Sequence, residues 1–246
     1  MKIEVLSLFP EMFQGTIHSS ILGKAIQRGV LSVHVTDIRD FTLDKHNRVD
    51  DTPFGGGAGM VMMADPIFRC LDAVEAKGKK IVYMSPKGSI LDLNKIEELS
   101  NLAELVILCG HYEGIDERVL EGWEIEEISI GDYVLTGGEP AAIVLIDAVA
   151  RMLPGTLGNE ESHQEESIYS GLLEYPQYTK PRTYMGMEVP EVLVNGNHKL
   201  IGLWQFEQSL LLTKERRPDL FEAYIKKAGN LTKEQRKIME KIIDMM

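Results

Sequence analysis

The sequence predicts an α/β protein: a mostly parallel sheet flanked by helices, followed by a small α-helical C-terminal domain. Three observations carry that prediction. Up to residue 158, short apolar runs alternate with amphipathic stretches of helical length, the pattern of strands joined through covering helices. Three of those runs end in turns rich in glycine or proline that also carry polar side chains. Beyond Pro154 the pattern stops: a polar, acidic stretch follows, and the remainder to Met246 is mainly helical.

Strands are expected at Lys2 to Leu8, Leu31 to Ile38, Lys80 to Ser85, Ala103 to Cys109 and Glu126 to Ile130. The first alternates and includes Glu4, so it does not read as a secretory signal. Asp65-Pro66 signals a helix start, the aspartate as cap and the proline in the first turn. Asp92 or Asn94 opens the next helix, which ends by Ser100, and Asp116-Glu117-Arg118 opens a short one. Pro140 to Ala150 is apolar on nearly all sides, which predicts burial all round, in the core or against a second subunit. Near the end, breaks fall at Pro218 and Gly229, and Thr232 with Gln235 forms a capping box for the last helix. The domains expected are thus 1–158, an acidic linker at 159–175, and a helical domain at 176–246.

Composition narrows the classes. Forty-four per cent apolar residues is ordinary for a globular protein, and no apolar run is long enough to span a membrane. The two cysteines, Cys70 and Cys109, form no paired motif and read as buried thiols. With 26 Lys plus Arg against 38 Asp plus Glu, the net charge of −12 repels nucleic acid on average. Basic residues nevertheless cluster at Arg39, Lys45, His46 and Arg48, and again at Lys199, Lys214, Arg216, Arg217 and Lys226 to Lys237. A local patch suffices for phosphate contacts; a solvated helix face is the alternative. The loop from Arg39 to Met63 shows little periodicity, and a loop of that length is usually functional. Its glycines lack the Lys-Ser/Thr of a phosphate loop, and no dinucleotide fingerprint follows the first strand.

The chemistry is expected at the three turns: Ile81-Val-Tyr-Met-Ser-Pro-Lys-Gly88, Leu105 to Arg118 through Gly110 and Gly114, and Ile130-Gly-Asp-Tyr-Val-Leu-Thr-Gly-Gly-Glu139. Glycine leaves main-chain N–H and C=O groups bare for a ligand, at a sheet edge where ligands commonly bind.

Gly110 to Arg118 and Ile130 to Glu139, with Phe54-Gly-Gly-Gly-Ala-Gly-Met60, Gly186-Met-Glu-Val-Pro190, Gly196-Asn-His198 and Arg216-Arg-Pro-Asp219, resemble the corresponding segments of the bacterial tRNA (guanine-N1)-methyltransferases, of the SPOUT superfamily. The resemblance runs in order along nearly the whole chain. It implies a trefoil knot in the sheet, which no physical rule would predict, S-adenosylmethionine as methyl donor, assistance by Mg2+, tRNA as partner, a homodimer and a cytoplasmic location. The reaction it implies is methylation of guanosine N1 immediately 3′ of the anticodon. The donor pocket it implies comprises Tyr83, Met84, Ser85, Pro86, Gly110, Tyr112, Gly114, Ile130, Gly131, Asp132, Tyr133, Val134, Leu135, Gly137 and Gly138.

The family's linker aspartate, the general base, corresponds to Glu166, one methylene longer, or to Glu165 if the register shifts by one. The family's arginine corresponds to Arg151. Glu113 is expected to orient guanine or contact a divalent ion, with no metal-ligand spacing in the sequence. His111 and His198 fall in family motifs, and Tyr169 and Tyr178 are candidates for stacking on a flipped base. A second departure lies at Pro140, one place earlier than the family's proline, with Ala141 where that proline would be. Two alternatives stand beside catalysis: a non-catalytic RNA-binding protein of the same fold, and the same methyl transfer on another RNA.

Overall fold

The computed structural model describes residues 1–157, 170–227, 229 and 231–244. The chain divides into two compact units, Met1–Glu160 and Glu161–Met246.

The first unit is built on a five-stranded sheet. Its strands are β1 (Lys2–Ser7), β2 (Ser32–Asp37), β5 (Lys80–Ile90), β6 (Glu104–Cys109) and β7 (Glu126–Ser129), in the order β2-β1-β6-β5-β7, with every pairing parallel. A separate two-stranded pair, β3 (Asp50–Asp51) with β4 (Val61–Met62), closes the long loop. Parallel sheets need both faces covered, and the two cores show that they are. On one face, Phe13 and Ile17 of α1 (Glu11–Ile17), Leu22 and Ala25 of α2 (Ser20–Gln27), Leu99 of α4 (Leu93–Ser100) and the inner side of α6 (Glu139–Met152) pack on Ile3, Val5, Val82, Leu105 and Ile107. The opposite face carries α3 (Ala64–Ala73), α5 (Glu117–Trp123) and the 3-10 turn Ile38–Phe41 over Leu6, Ile81, Tyr83, Val106 and Leu108. The period of two is visible within β6, where Leu105, Ile107 and Cys109 face one core and Val106 and Leu108 the other.

Local signals placed most boundaries. Asp92 caps α4 by accepting from the Lys95 N–H at 2.9 Å, so it, rather than Asn94, opens that helix. Asp116 caps α5 by accepting from the Arg118 N–H at 3.0 Å. Asp65 behaves otherwise than expected. It lies inside α3, whose N-cap is Met63, and its carboxylate binds the Arg69 guanidinium one turn on, at 3.0 Å. The long loop is also less bare than its sequence suggests, since it holds the 3-10 turn and the β3-β4 pair.

Helix α6 buries part of its surface within its own chain. Ala141, Ala142, Leu145, Ile146, Val149 and Ala150 are buried, but Val144 is 47% exposed and Asp147 is exposed beside it. Burial therefore covers one broad face, and an apolar strip points outward.

In the second unit a hairpin of β8 (Thr183–Tyr184) and β9 (Met187–Glu188) precedes α7 (His198–Arg216), α8 (Pro218–Lys227) and α9 (Lys233–Asp244). Leu172, Leu210, Phe221, Met239 and Ile242 form its core. The capping box is present as a reciprocal pair: the Thr232 N–H donates to Gln235 Oε1 at 3.0 Å, and the Gln235 N–H to Thr232 Oγ1 at 3.2 Å. Among the described residues no helix is long and apolar enough to cross a membrane.

Candidate functional site

The three turns meet at the C-terminal ends of neighbouring strands β6, β5 and β7 and enclose a cavity of about 280 Å³. β5 contributes Tyr83 to Pro86, the turn after β6 contributes Gly110 to Gly114, and the loop after β7 contributes Ile130, Gly131 and Tyr133 to Gly138. Every residue expected in the donor pocket lines this cavity except Asp132, which is exposed on the same loop. Ala141, the residue standing where the family has proline, lines the cavity too; sequence reasoning did not single out Ile128 or Ser129, which also line it. Ile128 and Ser129 looked like ordinary strand residues, and nothing in the pattern marked the side of β7 they present.

Backbone geometry makes the enclosure. The Gly138 N–H donates to the Gly110 carbonyl at 2.8 Å, so two of the loops touch through main chain. A Cβ on Gly138 would sit 2.9 Å from the Gly110 nitrogen and 3.0 Å from Cys109 Cα, and backbone atoms cannot rotate aside. Gly131, with φ of +153°, turns the third loop in a conformation that L side chains rarely adopt. Ser129 Oγ bridges that turn, donating to the Gly131 carbonyl at 3.1 Å and accepting from the Gly131 N–H at 3.2 Å.

The turn after β6 rests on the long glycine-rich loop. The Met62 N–H donates to the Gly114 carbonyl at 2.9 Å, the Asp116 N–H to the Met62 carbonyl at 3.0 Å, and the Glu113 N–H to the Met60 carbonyl at 3.0 Å. Glu113, exposed at the cavity rim, lies over Gly59, where a Cβ would meet its carboxyl. The loop's acidic side chains are partly committed to its own fold: Asp44 binds Arg48 at 2.8 Å, and that guanidinium holds its carboxyl well below the usual range.

Burial controls the titratable groups of the wall. The Tyr83 phenol is pushed up to about 12, chiefly by burial and secondarily by Glu127, so it stays neutral at physiological pH. The Cys109 thiol is raised well above its ordinary value, again by burial and then by Glu139, which makes it an inert part of the core. Arg151 is half-buried in the last turn of α6 and does not line the cavity. Glu165, Glu166 and Tyr169 lie outside the described residues. Among the described residues no group of three or more His, Cys, Asp or Glu is arranged to hold a metal.

Comparison with known proteins places this architecture. The family model described as tRNA (Guanine-1)-methyltransferase TrmD matches residues 1–223. The chain is 53% identical over 236 residues to the tRNA (guanine-N(1)-)-methyltransferase of Carboxydothermus hydrogenoformans, covering 96% of this chain and 91% of that protein. It is 50% identical over 250 residues to the namesake from Desulforamulus reducens, covering 100% and 96%. The Chlamydia pneumoniae relative is 54% identical over 227 residues; the match covers 92% of this chain but only 63% of that longer protein. A match that runs through the strands, the cavity loops and into α8 leaves one assignment: the chain belongs to the tRNA (guanine-1)-methyltransferase family.

Proposed function

We propose that this protein transfers a methyl group from S-adenosylmethionine to N1 of the guanosine immediately 3′ of the anticodon in tRNA. The observation that carries the reading is the meeting of three glycine-bearing turns on one cavity, in a chain whose relatives are named as tRNA (guanine-N(1)-)-methyltransferases. The cavity suits the donor. Bare main chain at Gly110, Gly131 and Gly138 offers donors and acceptors to the edge of adenine, and the apolar side chains of Ile130, Tyr133 and Leu135 are placed to cover its faces. When bound, S-adenosylmethionine supplies an electrophilic methyl group on sulfur.

The chain's own residues then handle the proton and the charge. Guanine N1 keeps its proton at neutral pH, so a general base must remove it, and the carboxylate of Glu166 is assigned that role. Negative charge develops toward O6 as the proton leaves, and Arg151 is assigned to stabilise it. Glu113 either orients guanine or holds Mg2+. A single rim carboxylate fits a hard cation that keeps most of its ligands as water.

The same reading extends to assembly. The outward strip of α6 around Val144 is proposed as part of a homodimer surface. Residues 1–158 would carry methyl transfer, 159–175 the linker with the base, and 176–246 tRNA binding, in the cytoplasm. Incubation with unmodified tRNA and labelled donor, followed by nucleoside analysis, should yield 1-methylguanosine. Binding of tRNA with no methyl transferred in the presence of Mg2+ would overturn the reading in favour of a non-catalytic RNA-binding protein.

A further inference from the structure

Behind one wall of the cavity lies a buried polar cluster that the catalytic assignments leave unused. Glu139, the first residue of α6, is only 1% exposed. A carboxyl group so deep needs polar partners for its oxygens. Its Oε1 accepts from Ser7 Oγ, at the end of β1, at 2.8 Å. Ser7 Oγ itself accepts from the Phe9 N–H at 2.9 Å, so the hydroxyl is held from both sides and its one proton is committed to Glu139. Oε2 points to Gly137: a Cβ there would lie 2.4 Å from Oε2 and 2.8 Å from His111 Nδ1. That Nδ1 is buried and has no hydrogen-bond partner among the described residues. The imidazole lines the cavity, with the rings of Phe9 and Tyr112 each centred 4.9 Å away. A buried acceptor oxygen and a buried, unpartnered ring nitrogen therefore converge on a gap that only glycine leaves.

We propose that Ser7, Glu139 and His111 form one buried relay that makes His111 a positioning residue. In the relay, a small turn of either side chain across the gap left by Gly137 lets Glu139 Oε2 accept a hydrogen bond from His111 Nδ1–H, which selects the tautomer with the proton on Nδ1. Nε2 then carries the ring's lone pair and presents a hydrogen-bond acceptor to the cavity. The ligand group that suits it is a purine N–H, from the adenine of the donor or from the guanine of the substrate. The relay also ties α6 and the loop after β7 to the turn after β6, because its members sit on both sides of the Gly110–Gly138 contact. The positioning role rests on the methyl-transfer reading; the tautomer does not.

The full-length protein carrying 15N-labelled histidine tests the tautomer directly by NMR, with the His111 signals identified by their loss in His111→Gln. The expected result is a protonated Nδ1 and an unprotonated Nε2, with that preference lost in Glu139→Met and weakened in the milder Ser7→Ala. A wild-type His111 protonated at Nε2 alone would overturn the relay, whatever the fate of the variants. In steady-state methyl transfer, His111→Ala and Glu139→Met should each raise KM for one substrate about tenfold, the effect of losing one hydrogen bond, while kcat changes little. His111→Asn, which keeps both a donor and an acceptor, should recover part of that loss. A raised donor KM identifies adenine as the partner, and a raised tRNA KM identifies guanine. Unchanged KM for both substrates would overturn the positioning role. Absence of methyl transfer by the wild type would instead count against the proposed function, since the NMR result stands without it.

Discussion

At the scale of single residues, the proposed base and the buried phenol give the sharpest expectations. Glu166→Gln should slow single-turnover methyl transfer by about 10² to 10⁴-fold, the usual contribution of a positioned base, with donor affinity in calorimetry nearly unchanged. Glu165→Gln should stay active; loss there with an active Glu166→Gln would move the assignment by one residue. Tyr83 links the site to alkaline stability. Its folded pKa of about 12 lies above the ordinary value of 10.0, so below pH 10 both states hold the proton and nothing is lost. As pH rises from 10 toward 12, the unfolded chain releases the proton first and stability falls, by about 2–3 kcal/mol over the whole interval. Urea melts of wild type and Tyr83→Phe across that range should show the variant lacking this decline. The glycines and polar residues of the cavity were legible in the sequence because turns after apolar strands advertise themselves. Ser7 and Glu139 were not, because nothing in a linear pattern shows a hydroxyl at the end of the first strand meeting a carboxyl at residue 139.

Elements were legible where one local rule sufficed. Each of the five sheet strands begins and ends within two residues of its expected place except β5, and the reciprocal Thr232–Gln235 cap was readable because both partners lie within one turn. The start of α3 failed where two local roles compete: Asp65 binds Arg69 one turn on along its own helix instead of capping the helix end. The packing of α6 onto the cavity loops predicts the effect of crowding them. Gly138→Ala places a methyl group against the backbone of Cys109 and Gly110, so overpacking should cost about 1–3 kcal/mol in chemical denaturation and weaken donor binding. Equal donor affinity in that variant would mean that the loops do not need their main-chain contact to form the pocket.

For the molecule as a whole, the predictions concern partners. Val144→Glu sets a charge on the outward strip of α6 and should shift sedimentation at micromolar concentration from dimer toward monomer; an unchanged dimer would place the interface elsewhere. RNA binding is expected to weaken steeply with salt despite the net charge of −12, because phosphate contacts release counterions. The basic residues of the second unit are not equivalent in this. Arg217 already grips Asp219 through two hydrogen bonds of 2.9 and 2.6 Å, and Lys199 reaches Glu234 at 2.8 Å. Arg216 is exposed, and its replacement by alanine should flatten the salt dependence more than replacement of Arg217. The sequence displayed this cluster as basic residues mixed with Glu207, Glu215 and Glu222, and only the folded chain reveals which members are engaged with carboxylates.

The departure of β5 from its expected length has a mechanical meaning. Met84 and Ser89 both pair with Ile128 of β7, so Ser85 to Gly88 form a hoop pinned at each foot to the same rung. Gly88 brings that hoop hard against the main chain of Glu127 and Ile128, where any side chain would collide. A hoop stapled twice to one rung behaves as a fixed wall of the cavity. Facing it is the loop from Ile130 to Gly138, whose Tyr133 and Val134 stand in solvent.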